Sequence, residues 1–108
     1  MDEGEKEKKQ QAMIAFSEIL EELEAERIRQ IEKWGMGQQL TPIEYCAILG
    51  EEFGEVCRAV HDAHFATQYP NAIQATPGDY SQYRKELVQL ATVCVAAIQN
   101  LDNNMKAI

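Results

Sequence analysis

The stretch YSQYRKELVQLATVCVAAIQNL, residues 80–101, decides the fold class of this 108-residue chain. Its large apolar side chains recur at intervals of three and four residues, which places them along one face of a helix. The opposite side carries the small residues Val93, Ala96 and Ala97, which permit another helix to approach closely. We therefore predict a long helix that packs on two sides and runs to about Asn103. The large residues are Tyr80, Tyr83, Leu87, Leu90, Cys94, Ile98 and Leu101.

A first helix is predicted from about Ala12 to Lys33, where apolar residues again recur at helical spacing and Gly35 follows as a helix end. Residues 1–11 mix acids and lysines without apolar anchors, so we expect this segment to be disordered. Residues 12–108 then form a single helical domain, because a chain of this length is too short for two.

A second helix is predicted from the sequence Thr41-Pro42-Ile43-Glu44 to about Phe65. Thr41 can cap the helix, Pro42 suits its first position, and Glu44 completes a capping box. Proline and glycine residues then mark a loop at about residues 66–76.

The third helix is predicted to start at Thr76-Pro77-Gly78-Asp79, with Ser81 as an alternative cap. No strand pattern competes with these helices, so we predict an all-α bundle of three to four long helices. Because the third helix has two apolar faces, we expect a homodimer or homotetramer to complete the bundle.

The net charge of −8 excludes a nonspecific nucleic-acid binder, since such proteins need a positive surface. No apolar run approaches the length of a membrane span, so no membrane partner is expected. The three cysteines Cys46, Cys57 and Cys94 lack CxxC spacing and lie in apolar helical patterns. We predict that they are buried, reduced thiols in a cytoplasmic protein.

Three glutamates on two predicted helices form the candidate site. Glu52 and Glu55 are three residues apart and therefore share a helix face, while Glu86 lies among apolar positions of the third helix. Carboxylates turned toward apolar surface are costly unless they are paired, protonated or bound to a metal. A hard divalent cation that bridges the two helices would satisfy all three. The alternative is that these are ordinary solvated glutamates, which are common on helices.

Three blocks of the chain, taken in order, carry a family resemblance. They are ERIRQIEKWG at residues 26–35, ILGEEFGEV at 48–56 and YRKELVQLA at 83–91. The spacing Glu52-x-x-Glu55 followed by Glu86 resembles the ExxE…ExxD signature of the MazG-like all-α nucleoside triphosphate pyrophosphatases. The blocks look like those of the short, single-domain members from bacteria and phages, and the resemblance covers about residues 20–103.

The resemblance implies a Mg²⁺-dependent enzyme, with Mn²⁺ as a substitute, that hydrolyses an NTP or dNTP to the monophosphate and pyrophosphate. A role in cleansing the nucleotide pool is one form of this activity. It further implies that Glu52, Glu55 and Glu86 are metal ligands in an oligomeric helical bundle. Glu51 is then a general base or an acid that supports the ligands.

Gln89 stands where the family signature has an aspartate. The resemblance therefore places Gln89 among the metal ligands, but an amide oxygen is neutral and a poorer Mg²⁺ ligand than a carboxylate. Asp79, two helical turns before Glu86, is a candidate to replace the missing charge. The alternative function is a MazG-like helical binding module that has lost its activity.

The block at residues 26–35 supplies the candidate substrate-binding residues. Arg27 falls in the middle of an apolar stripe, so it needs an anion: either substrate phosphate or a structural ion pair. Lys33 and Arg84 are weaker candidates for phosphate contacts, and the alternative for each is that it is simply solvated. Trp34 can stack on a base, or can instead fill the core, and Gln30 can contact the edge of the base.

Overall fold

The computed structural model describes residues 2–35, 40–66 and 78–106. Within these ranges the chain forms three α-helices and no strand: α1 (Glu3–Trp34), α2 (Pro42–His64) and α3 (Ser81–Lys106). The predicted all-α class is thereby confirmed. No helix in the described part is long and apolar enough to cross a membrane.

Helix α1 begins at Glu3, well before the predicted start at Ala12. Asp2 caps it, and its Oδ1 accepts a hydrogen bond of 2.8 Å from the backbone N–H of Glu5. Acidic residues in the first turn also interact favourably with the helix dipole. The charged segment 1–11, predicted to be disordered, is therefore helical from Glu3 onward. The helix ends as predicted at Gly35, whose φ of 84° suits glycine.

Helix α2 has the predicted start and end. The Thr41 hydroxyl accepts from the Glu44 backbone N–H at 3.3 Å, and the Glu44 carboxylate accepts from the Thr41 backbone N–H at 3.1 Å. Pro42 is the first helical residue, so the predicted capping box is confirmed. Phe65 terminates the helix after His64.

Helix α3 begins at Ser81, which is its first helical residue. The carboxylate of Asp79 accepts a hydrogen bond of 3.0 Å from the Ser81 backbone N–H and so holds the start of the helix. The predicted loop lies, except at Ala66, in residues 67–77, outside the described residues. The predicted helix start at Thr76 is wrong, because residues 78–80 are described and are not helical.

Helix α3 packs against both α1 and α2. The buried residues of the described chain come from the small side of α3 and from α2, and large residues of the opposite row remain exposed. Small side chains allow the closer approach of backbones, which explains why this side of α3 is the one in contact. The buried residues are Val56, Ala63, Thr92, Val93 and Ala96, and the exposed members of the row include Tyr80, Leu87, Cys94, Ile98 and Leu101.

The prediction of buried thiols is wrong for this chain: Cys46, Cys57 and Cys94 are free and exposed. Cys57 and Cys94 each follow a buried valine by one position. One residue turns a helix by about 100°, which carries each thiol off the packed face.

Candidate metal centre and adjoining clefts

Helices α2 and α3 bring Glu52, Glu55 and Glu86 together. One carboxylate oxygen from each residue lies within 4.8 Å of the others. The spacing of three residues places both α2 carboxylates on the side that meets α3. We refer to Glu52, Glu55 and Glu86 as the acid triad.

Two oxygens of the acid triad lack hydrogen-bond partners. Glu52 Oε2 and Glu86 Oε2 are buried, and no donor in the described part of the chain reaches them. The other Glu86 oxygen accepts a hydrogen bond of 2.8 Å from the side-chain amide of Gln82. A buried acceptor without a donor is costly, and a bound cation is one way to satisfy it.

The electrostatics of the acid triad also favour a cation. Desolvation raises the pKa of Glu52, and the charges of Glu55, Glu86 and other nearby acids raise it further. Desolvation likewise raises the pKa of Glu55, and a hydrogen bond with Glu86 and the Glu86 charge add to the shift. These causes all disfavour the ionised form, so a divalent cation gains by offsetting the repulsion.

The triad meets a simple size test for a divalent ion. Oxygen ligands of one Mg²⁺ lie roughly 3 to 4.2 Å apart, because each bond is about 2.1 Å long. Oxygens within 4.8 Å of one another therefore need to move inward by at most on the order of 1 Å. Glutamate can do so because its terminal torsion is broad. Three carboxylates are also a hard-oxygen donor set suited to Mg²⁺ or Mn²⁺.

The remaining predicted acids and Gln89 lie around this triad or away from it. Glu51 is exposed, and its charge contributes to the raised pKa of both Glu52 and Glu55. Gln89 is half-buried on α3. Asp79 is not part of the cluster. Its carboxylate is used at the start of α3, and hydrogen bonds from Ser81 lower its pKa.

A large cleft of about 910 Å³ joins most of the predicted site residues. All four candidate substrate-binding residues line it, and so do one acid of the triad and its neighbours. The sequence predictions therefore converge on one space. The predicted site residues in its wall are Arg27, Gln30, Lys33, Trp34, Glu51, Glu52 and Gln89.

Arg27 has a partner that neither sequence-based alternative anticipated. Its Nε donates a hydrogen bond of 2.9 Å to the side-chain oxygen of Gln99 on α3. The partner is neutral, so this bond does not itself offset the positive charge of Arg27. The residue therefore fixes α1 to α3 and brings a cation to the cleft wall.

Trp34 is 60% exposed, so it is not a core residue of this chain. The ammonium of Lys33 lies 4.9 Å from the centroid of the Trp34 ring, within the range of a cation–π interaction. Gln30 contributes, after Arg29, to the lowered pKa of Glu26.

Three charged residues near the triad were missed by the sequence analysis as site residues. Glu26 accepts a hydrogen bond of 2.9 Å from Arg29 Nε, and this contact is the main cause of its lowered pKa. The charge of Glu26 contributes to the raised pKa of Glu52, and Lys85 contributes to the lowered pKa of Glu26. The pair Glu26–Arg29 is local, at a spacing of three residues on α1, and only the crossing of α1 with the other helices brings it near Glu52 and Lys85.

A second cleft, of about 630 Å³, lies between α1 and the start of α3. It shares Glu26, Arg29, Lys33 and Gln89 with the large cleft. We call it the basic groove, because four cations and two acids line it. These residues are Arg29, Lys33, Arg84 and Lys85, with Glu22 and Glu26.

No family model, curated protein or solved structure matches this chain. The resemblance to the MazG-like pyrophosphatases therefore stays a prediction from the three sequence blocks.

Proposed function

We propose that the chain is a Mg²⁺-dependent nucleoside triphosphate pyrophosphohydrolase of the MazG-like type. One observation carries the proposal: three carboxylates converge from two helices, and two of their oxygens are buried without a donor. The large cleft beside them offers an exposed aromatic ring at Trp34 and the cations Arg27 and Lys33, which are groups that a nucleotide needs.

In this proposal Glu52, Glu55 and Glu86 hold the Mg²⁺, or Mn²⁺ in its place. The bound ion supplies charge neutralisation of the triphosphate and lowers the pKa of a coordinated water. Glu51, exposed on the cleft wall next to Glu52, is our candidate to accept the proton of the attacking water. Gln89 contributes a neutral amide oxygen, so the site has one negative charge fewer than the family signature.

The cleft wall on α1 binds the nucleotide. Arg27, anchored by Gln99, and Lys33 contact phosphate oxygens, and the fixed position of Arg27 limits the entropy lost on binding. Trp34 stacks on the base through its exposed ring. Gln30, which lines the same cleft, contacts the edge of the base.

We also propose that the active form is a homodimer or homotetramer. The radius of gyration is 17.8 Å, against about 13 Å for a compact domain of this length. Large apolar residues on all three helices are exposed, for example Phe16, Phe53 and Ile98 at 53, 59 and 58%. Apolar area of this kind favours association. A monomeric mass by light scattering at micromolar concentration contradicts this part of the proposal.

The decisive experiment measures pyrophosphate release from the common and deaminated NTPs and dNTPs, with Mg²⁺ or Mn²⁺. We expect turnover that Glu52→Gln lowers at least about a hundredfold, because it removes a charged ligand. Glu18→Gln is the matched control, since Glu18 is an exposed acid of α1 outside the triad. Silence on every nucleotide, from a folded protein, overturns the enzymatic proposal.

The inactive binding module is separated from the enzyme by a metal titration. The specific observation in its favour is the neutral Gln89 in the place of an aspartate. Saturable Mg²⁺ or Mn²⁺ binding that Glu52→Gln abolishes supports the enzyme, whereas the binding module should show neither saturable metal binding nor turnover. The variant Gln89→Asp then tests whether the missing charge is the cause, since it restores the family signature.

A further inference from the structure

The basic groove concentrates positive charge on an otherwise acidic chain. Four cations and two acids line it, which gives a local balance of +2, whereas the whole chain carries −8. Such a local excess of positive charge attracts anions to the groove. The rest of the chain is acidic, so it attracts anions weakly.

The groove is continuous with the proposed catalytic site. Glu26 and Gln89 line both clefts, and Lys85 directly precedes Glu86 of the acid triad. An elongated anion can therefore extend from the large cleft, which Glu52 of the triad lines, into the groove. The volume of about 630 Å³ is ample for two or three phosphate groups.

Arg84 of the groove is held by bonds that an anion can replace. Arg84 donates to both oxygens of Glu22, at 2.8 Å each, but both side chains are about half exposed. Exposed ion pairs of this kind are weak, and phosphate has the same fork-shaped geometry as a carboxylate. Ser81 adds a side-chain hydroxyl to the wall.

We infer that the basic groove is a subsite for a diphosphate group, with Arg84 and Lys85 as its principal contacts. The choice of ligand rests on the proposed function, because pyrophosphate is the product released there. The subsite would hold the terminal phosphates of the substrate before hydrolysis and free pyrophosphate after it. Arg29 and Lys33 complete the positive wall from the side of α1.

The test is calorimetric titration with inorganic pyrophosphate in EDTA, which removes the divalent ions and with them any contribution from the acid triad. We expect saturable binding that Arg84→Glu and Lys85→Glu each weaken about tenfold or more, because each replaces a charged donor by a repelling acid. Lys9→Glu is the matched control: Lys9 lies about 30 Å along α1 from Arg29, at 1.5 Å per residue, and should leave the affinity unchanged.

A variant that binds pyrophosphate more tightly distinguishes a true subsite from loss of binding through misfolding. Glu22→Gln frees Arg84 from its competitor and removes one negative charge, so it should tighten pyrophosphate binding severalfold. Circular dichroism confirms that each variant is folded. The inference is overturned if wild type does not bind pyrophosphate at millimolar concentration. Equal weakening in all three charge-reversal variants, Lys9→Glu included, also overturns it.

The outcome is independent of the catalytic proposal. Glu52→Gln should abolish turnover and still bind pyrophosphate in EDTA with wild-type affinity. A chain that binds pyrophosphate in the basic groove but hydrolyses no nucleotide refutes only the proposed function. A chain that hydrolyses nucleotides but binds no pyrophosphate in EDTA refutes only the subsite.

Discussion

The acid triad and the basic groove both include residues near the start of α3, but like charges face one another in the triad, whereas opposite charges are paired in the groove. In the triad, carboxylates face one another, and desolvation and mutual repulsion raise the pKa of Glu52 and Glu55. In the groove, hydrogen bonds from Arg84 and Arg29 lower the pKa of Glu22 and Glu26. No cation of the described residues forms an ion pair with the triad, whereas each acid of the groove has a cationic partner.

The difference indicates what each region can bind. A site whose own charges repel gains stability from a ligand of opposite sign, so the triad should bind its cation with a large effect on the fold. A region whose charges are already paired gains less, because a new anion must displace an existing carboxylate. We therefore expect ligand effects on stability to be large at the triad and small at the groove.

The largest expected effect is stabilisation by Mg²⁺. At a concentration a hundred times the dissociation constant, the ion should add about 2.7 kcal/mol to the free energy of unfolding. For a chain of this size the unfolding midpoint should rise by roughly 10 °C or more. Thermal unfolding at fixed protein concentration, with and without MgCl₂, measures the shift.

Two variants place this shift in the triad. Glu86→Gln should abolish it, because Glu86 carries one of the buried oxygens without a donor. Glu18→Gln, an exposed acid of α1, should retain it in full. A midpoint that does not respond to Mg²⁺ in wild type contradicts the metal centre.

A smaller effect is the pH dependence of the metal-free protein. Because the folded-state pKa of Glu52 is raised, its contribution to stability is fully present below the unfolded pKa near 4.5. That contribution is lost as pH rises through the folded pKa. Glu52→Gln should therefore be more stable than wild type at pH 7 in EDTA, by on the order of 1 kcal/mol.

The same comparison at low pH supplies the control. Below the unfolded pKa both states of wild type are protonated, so the advantage of Glu52→Gln should disappear by about pH 4. Urea unfolding of both proteins across this range measures the gap. Taking the difference removes the opposite trend from Glu22, Glu26 and Asp79, whose pKa values are lowered. A gap that is constant with pH contradicts the repulsion in the triad.

Local sequence signals predicted the elements of the fold and the convergence of the triad. The capping box at Thr41 and the glycine after Trp34 act within one turn, so sequence spacing alone determines them. The pairing of Glu52 with Glu55 is equally local, and only Glu86 required the assumption that α2 meets α3. That assumption followed from two long apolar stripes.

Contacts that depend on how the helices cross could not be predicted from the sequence. The apolar pattern of α3 indicated two packing faces but did not show that the small side, at Val93 and Ala96, is the one in contact with its neighbours. The bond from Arg27 to Gln99 and the pair Arg84–Glu22 join α1 to α3 across long stretches of sequence. Their partners depend on the crossing geometry, which residue spacing does not contain.

The smallest expected effect is the loss of the ion pair between Glu22 and Arg84. The side chains are 44 and 57% exposed, so water and salt screen the pair strongly. Arg84→Gln should lower the unfolding midpoint less than Arg29→Gln does. Arg29→Gln removes the ion pair with Glu26, whose side chain is only 16% exposed and is therefore less screened. Thermal unfolding of both variants in low and high salt makes the comparison.

This ranking bears on the role of the basic groove. If Arg84 contributes little to stability, the fold does not depend on its charge. The loss of that charge should then be detected mainly as weaker pyrophosphate binding. If Arg84→Gln instead lowers the midpoint more than Arg29→Gln, the pair is a structural tie between α1 and α3. An anion that displaced Glu22 from Arg84 would then destabilise the fold. The basic groove would no longer differ from the acid triad in being free to exchange its partners for a ligand.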